Sequence, residues 1–442
     1  MKRLPLFLAL CGLSSFALTA CTDDGGAESD TDGATESADT ADTADTADTG
    51  AGQTVDVTGD INEDTTWTSD NTYVLAGDTL IFVNGAVLTI EPGTTIIGLA
   101  GSGLVIEKDA RIEATGTAEA PIVFTSFDDQ NPSPGDWGGL VLLGSARINI
   151  QGGVGQAEGF PVPPTYGGTD DTHNCGTLQY VRVEYAGFAI SDGNELNGIT
   201  FYACGSATTV DHVQSHMGLD DGVEMFGGTF DIDHLVVTGA SDDSVDVDQG
   251  FRGRLTNIFI HQSDSVGDNC FEVSNQGTDF SATPKTNPEI CNATCIGSGA
   301  SGGKSKGITV KEGTNGSWHA SIFTNVTNEA TLLADEASAV EAAADNIVIA
   351  NSIFFGNLGD PQHNSGADSL DSAGWAAWIE DAPRANLSAD PGLTSTSWGS
   401  PDITPAGDVS GDGSGCGGTD YIGAVDPAGD NWTAASWINY SP

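Results

Sequence analysis

Basic residues are what this chain has least of: 13 lysines and arginines stand against 63 aspartates and glutamates, giving a formal net charge of -50 over 442 residues. So few cations leave no patch to neutralise phosphates, which excludes nucleic acid and anionic membrane surfaces as electrostatic partners. Methionine is also scarce, at 3 residues, and no apolar run reaches the ~20 residues of a membrane-spanning helix. Helical periodicity is nearly absent before residue 331. What the chain does have is glycine, 59 of them, and a large stock of hard oxygen ligands suited to divalent cations.

Lys2 and Arg3 precede a single apolar stretch from Leu4 to Ala17, interrupted by Pro5. A charged start, a short apolar core and small residues after it read as a secretory signal over 1–20. Its end, Leu18-Thr19-Ala20-Cys21, resembles the lipobox of bacterial lipoproteins, which implies cleavage before Cys21 and a lipid on the new N-terminus. From Thr22 to Gln53 large apolar residues are missing, and Ala-Asp-Thr repeats from Ala38 to Thr49. Such a segment has no core to bury and extends by self-repulsion, so 21–53 reads as a tether. The expected address is the outer membrane, lipid-anchored and facing outward.

From residue 54 onward, short Val/Ile/Leu runs alternate with Gly, Asn, Asp and Thr, the pattern of strands. Leu80-Ile81-Phe82, Val87-Leu88-Thr89-Ile90 and Thr95-Ile96-Ile97 make a set of three. Leu104-Val105-Ile106, Ala110-Arg111-Ile112 and Ile122-Val123-Phe124 repeat it. Three strands in roughly 25 residues is the period of a parallel β-helix. In the middle of the chain, Thr209-Val210-Asp211-His212-Val213 returns 22 residues later as Asp231-Ile232-Asp233-His234-Leu235, and 23 beyond that as Arg254-Leu255-Thr256-Asn257-Ile258. A second motif keeps step with it: Asp220-Asp221-Gly222-Val223-Glu224, Asp242-Asp243-Ser244-Val245-Asp246 and Asp268-Asn269-Cys270-Phe271-Glu272. Neighbouring coils lie ~4.8 Å apart, so equivalent residues form ladders; with Val223, Val245 and Phe271 inward, Glu224, Asp246 and Glu272 point outward together.

The stretches Gly59 to Gly98, Gly135 to Gly144 (GDWGGLVLLG), Thr177 to Gly187 (TLQYVRVEYAG), the repeated DD-x-V-E/D and Tyr421 to Tyr440 resemble a large family of bacterial secreted and lipid-anchored right-handed β-helix proteins with the pectin-lyase-like fold. The resemblance covers almost all of Val55 to Tyr440. It implies an all-β solenoid of about ten coils over 54–442, with loop excursions and a partly helical, Trp-rich cap region from about 357. It carries over no catalytic residues.

Six cysteines lie in this body: Cys175, Cys204, Cys270, Cys291, Cys295 and Cys416. An even number in an exported chain suggests three disulfides. Cys175 with Cys204, and Cys270 with Cys291 or Cys295, are each about one coil apart, and Cys416 would tie down the tail. Helical composition is expected over Thr331 to Ala344 and Ser369 to Glu380. Trp375, Trp378, Trp398, Trp432 and Trp437 fall in the tail, where cap packing is the expectation and sugar-stacking the alternative.

The acidic ladders carry the chemistry. Two unit charges ~4.8 Å apart repel by about 3 kcal/mol at an effective dielectric of 20, so a column of ionised carboxylates needs relief. Turn chemistry, with Asp side chains bonding backbone amides, is one source. Calcium is another, with Asp220, Asp221, Glu224, Asp242, Asp243, Asp246, Asp248, Asp268 and Glu272 as ligands. Asp408, Ser410 and Asp412 open like a calcium loop, but its twelfth position is Thr419 rather than Glu. A catalytic reading takes Asp242, Asp243, Asp221 and Glu224 as acid and base, with Arg252 among the few nearby cations beside Lys304 and Lys306. Asp242-Asp243 followed by Val245 is similar to the paired-aspartate coil of polygalacturonases, yet the Gly-His-Gly and Arg-x-Lys segments of that family are missing. The histidines form two ladders, His212 and His234 with Asn257, and His216 and His261 with Glu184; hydrogen-bonded turns are the ordinary reading and zinc the other.

These readings converge on a surface lipoprotein whose β-helix serves binding, adhesion or structure. Calcium would stabilise it and carbohydrate is a candidate ligand; the alternative is a polysaccharide lyase or glycoside hydrolase. Cys21→Ala is expected to release the protein from the membrane fraction, and unchanged partitioning on detergent phase separation would refute the anchor.

Overall fold

The computed structural model describes residues 52–442 apart from 78, 192–193, 300–303 and 414–415. The signal segment, Cys21 and the tether through residue 51 lie outside the described residues. In the first coils, Thr72–Leu75, Leu80–Val83, Val87–Ile90 and Thr95–Gly98 each alternate partly exposed and buried side chains, the period-two signature of a strand with one face inward. Each strand pairs in parallel with its equivalent in the next coil. A ten-stranded sheet runs from Leu80–Val83 through Leu140–Leu143, Ile199–Tyr202, Val223–Phe226, Val245–Asp248 and Asn269–Ser274 to His363–Ser365. One strand per coil makes this a parallel β-helix of ten coils. Inside it a single apolar column extends from Ile61 through Leu88, Phe201, Val245, Phe271 and Phe354 to Trp375.

The remaining coil strands form a sixteen-stranded sheet. Its long central members, Gly176–Glu184, Thr209–His216, Asp231–Thr238, Arg254–His261 and Glu289–Ile296, each turn a corner at one left-handed residue. Those residues are Tyr180, His212, His234, Asn257 and Asn292, with φ between +49° and +55°. The corner explains why Asn and His recur there, since both tolerate this region better than most side chains. Thr209 pairs with Asp231 and Ile232 with Leu255, so each sequence repeat is one coil.

Among the described residues, α-helix occurs in two short pieces. Thr331–Leu333, inside the stretch expected to be helical, is a strand in register with Ile308–Val310, because its alternating side chains continue the core column. The helix spans Glu336–Ala343, and its N-cap Asp335 accepts a hydrogen bond from the Ser338 N–H. A second helix, Ser372–Ile379, sets Trp375 and Ile379 against the end of the interior column. This is the small helical cap that a stacked solenoid needs. The chain then turns back along the outer face of the large sheet, where Ile403, Ala424, Val425, Trp437 and Ile438 cover Val236, Phe259 and Ile296. Composition alone suggests cap packing for the whole tail; instead the helix closes the end and the rest straps the side, because this outer face is apolar and must be covered. Arg182 donates to the Trp437 carbonyl at 2.8 Å, and the Asn439 N–H donates to Gln214 Oε1 at 2.8 Å.

Disulfides join Cys175 to Cys204 and Cys270 to Cys295, each about one coil apart, and Cys291 to Cys416, which fastens the strap to the body. Because the core is one continuous column, Phe271→Ala is expected to destabilise the protein by about 3–5 kcal/mol in denaturant unfolding. A loss below about 1 kcal/mol would contradict a core shared between stacked coils.

Candidate functional site

The acidic motifs occupy the turns leading into three strands of the ten-stranded sheet, Val223–Phe226, Val245–Asp248 and Asn269–Ser274, together with one outward position on each strand. The register sets Glu224 beside Asp246 and Asp246 beside Glu272, with Thr200 and Thr309 as the uncharged neighbours at either end. The outward column inferred from sequence is therefore real. Three residues earlier in each coil, the side chain holds the next coil: Asn197 Oδ1 accepts from the Asp221 N–H at 3.2 Å, Asp221 Oδ1 from the Asp243 N–H at 2.8 Å, and Asp243 Oδ1 from the Asn269 N–H at 2.6 Å. Turn chemistry thus accounts for one oxygen each of Asp221 and Asp243.

It does not account for the rest of the charge. One carboxylate oxygen from each of Asp221, Glu224 and Asp246 lies within 4.8 Å of the others, and the same holds for Asp220, Asp221 and Asp242, and for Asp242, Asp243 and Asp268. Glu224 is only 7% exposed and accepts from Asn197 Nδ2 at 2.5 Å. Asp246 Oδ1 is buried without a hydrogen-bond partner. Burial, reinforced by the neighbouring carboxylates, pushes Asp221, Glu224, Asp243 and Asp246 well above the usual carboxylate range. Burial likewise pushes Asp220 and Asp248 up to about 7. The C-terminal end of the column is relieved by cations: Lys306 Nζ lies 2.9 Å from Asp268, and Lys311 pairs with Glu272.

An excursion between residues 144 and 170 supplies the burial. Its Ile148, Ala157, Phe160 and Tyr166 pack on the outward side chains Val105, Val141, Leu143, Tyr202 and Phe226 of the same sheet, and it delivers Glu158 against Glu224. The Glu158 carboxyl is pushed up to about 7 by burial. Beside this excursion opens a groove of about 880 Å³ lined by Leu80, Phe82, Phe160, Val162, Phe188 and Leu196 among others. Nothing in the local sequence places Glu158 at the ladder. A signal for the excursion does exist in the run Leu140–Leu143, which is apolar at every position and buried on both faces.

Other expected site residues lie elsewhere. Arg252 faces away from the ladder, with its guanidinium 3.4 Å from Asp171 and donating to the Gly250 carbonyl. Asp408 accepts the Ser410 N–H at 3.1 Å in an exposed turn, and Ser410 bridges to Tyr421, so the Asp408, Ser410 and Asp412 segment belongs to the strap. His216 and His261 are buried, and burial pushes both down to about 4, so they are neutral; His216 Nδ1 lies 2.7 Å from Thr238 Oγ1. His212 and His234 stack on each other beneath the strap with ring centroids 4.1 Å apart.

A family model described as a pectate-lyase like beta helix domain matches residues 59–400. No curated protein and no solved structure matches the chain significantly.

The raised carboxyl groups fix a pH dependence. An acid whose folded pKa lies above its unfolded value takes up a proton on folding, so stability rises as pH falls through the folded value. In chelator, the unfolding midpoint should therefore increase between pH 8 and about 6.5, with His234, raised to about 9 by Asp211 and Asp233 against the effect of burial, acting in the same direction. Below about 6.5 the buried neutral His216, His261 and His363 oppose the trend, since folding resists their protonation. Asp221→Asn with Asp246→Asn should flatten the rise, and an unaltered slope in that variant would clear the ladder of responsibility.

Proposed function

The chain belongs to the pectate-lyase-like β-helix family, and from that premise we propose that it is a calcium-stabilised surface module that binds carbohydrate without cleaving it. A lipid on Cys21 would hold it at the outer membrane, with the acidic tether lifting the body outward. The observation that carries the calcium reading is Asp246 Oδ1, buried and unpartnered in a group of three carboxylates whose oxygens lie within 4.8 Å of one another. Calcium takes 6–8 oxygens at 2.3–2.6 Å, so carboxylates from coils bearing Asp221, Glu224 and Asp246 are close enough to share one ion. Bound there, it would supply the positive charge that, among the described residues, the ladder's ion pairs provide only at Lys306 and Lys311, and Asp220, Asp242 and Asp243 would extend the site along the turn.

The groove beside the 144–170 excursion favours carbohydrate. Phe82 and Phe188 offer apolar faces of the kind that pack on sugar rings. Binding is favoured over cleavage because Asp221 and Asp243 each spend an oxygen on the backbone of the next coil. Lys306 and Lys311 are ion-paired, and Arg252 is turned to Asp171.

Calcium at a hundredfold excess over its Kd stabilises a folded protein by about 2.7 kcal/mol. At pH 8 calcium should raise the melting temperature, chelator should reverse the gain, and Asp221→Asn with Asp246→Asn should abolish it. No shift in the wild-type protein would remove the calcium reading. New reducing ends or unsaturated products on a glycan panel would move the assignment to an enzyme.

A further inference from the structure

On the opposite sheet, a different set of ligands converges under the strap. We propose that Asp211, His212 and His234, with Asp233 beside them, form a site for one zinc-type transition-metal ion, separate from the calcium ladder. His212 Nδ1 lies 2.7 Å from Asp211 Oδ1, and His234 Nδ1 lies 3.4 Å from Asp211 Oδ1 and 3.2 Å from Asp233 Oδ1. Ligand atoms from Asp211, His212 and His234 all fall within 4.8 Å of one another. A tetrahedral ion with bonds of 2.0–2.2 Å separates its ligand atoms by about 3.3–3.6 Å, so small side-chain movements suffice to close the set on a metal. His234 Nδ1 is buried and lies within ion-pair range of both carboxylates without a hydrogen bond of acceptable geometry to either.

The backbone does not demand histidine here. The equivalent corner is Asn257, Asn292 and Asn351 in later coils, at φ values of +51° to +55° against +54° for both histidines. Two successive coils carry imidazole at this corner, each preceded by aspartate. The carboxylates are held in place by further donors, as metal ligands commonly are: Gln179 Nε2 donates to Asp211 Oδ2 at 3.2 Å, while Thr256 Oγ1 and Asn257 Nδ2 both donate at 2.8 Å to Asp233 Oδ1, the oxygen that faces His234. Tyr180 stacks on His212 at 4.4 Å, and Trp432 from the strap meets His234 edge-on at 4.9 Å. A groove of about 560 Å³ lined by Asp211, Asp233, Asn257 and Tyr421 gives ions a way in. Imidazole nitrogen selects zinc, copper, nickel or cobalt over calcium, so ligand chemistry sorts ions between the two sheets.

The test is a zinc titration of the full protein at pH 8 in excess calcium, which occupies the all-carboxylate sites. One zinc per chain is expected, and His212→Asn with His234→Asn should weaken it by roughly tenfold or more while the variant still folds, since asparagine is native to this corner in later coils. Asp221→Asn with Asp246→Asn should keep the zinc. Copper(II) bound by the wild type should show nitrogen coupling in its EPR spectrum, which needs no variant. No zinc binding in the wild type, undiminished binding in the histidine variant, or copper without nitrogen coupling would each overturn the proposal.

Discussion

Everything in this molecule follows from coils stacked in register ~4.8 Å apart. Stacking sets each side chain above its equivalent, which is favourable inside the solenoid. Val223, Val245 and Phe271 pair in one column and lose water together. On the outside the same rule is costly wherever the repeated residue is acidic, because Glu224, Asp246 and Glu272 then pair just as faithfully. A repeat that stabilises its core by copying itself also copies its charges, at about 3 kcal/mol of repulsion for each adjacent ionised pair.

The protein limits that repulsion at the ends of the column and concentrates it in the middle. Thr200 and Thr309 terminate the outward ladder, Asn197 and Asn269 terminate the turn ladder, and Lys306 and Lys311 neutralise Asp268 and Glu272. Asp221 and Glu224 are buried without such a cation, Asp246 feels Lys311 without an ion pair, and the 144–170 excursion reaches the column at Glu224. Glu158 arrives with that excursion and adds a further carboxyl. The large sheet repeats the logic with other ligands: the strap covers an apolar outer face and in doing so encloses the His212 and His234 corner.

The solenoid is legible in sequence because its determinants are local and periodic. Alternating Val and Ile mark inward faces, and the spacing of Asp211-His212 and Asp233-His234 measures one coil. The acidic ladder is legible for the same reason, since register turns a sequence repeat into a spatial column. What sequence does not disclose depends on long-range docking. Glu158 reaches Glu224 only through the path of an excursion, and Tyr166 reaches Gln249 in the same way. Arg252 is close to Asp248 in the chain, yet the coil has already turned and hands its guanidinium to Asp171. The strap is hidden because Ile403 sits in a short strand and Ala424, Val425 and Ile438 lie in loops without a shared period, although the apolar outward positions Val236 and Phe259 leave a trace in the strands beneath.

The central claim is that a divalent cation relieves the in-register carboxylates. Crystals of the protein grown at pH 8 with calcium and measured with anomalous scattering test it directly. The account predicts an anomalous peak between the carboxylates of Asp221, Glu224 and Asp246, with oxygen ligands 2.3–2.6 Å away. A column bridged only by water and shared protons under those conditions, with no peak among these residues, would contradict it.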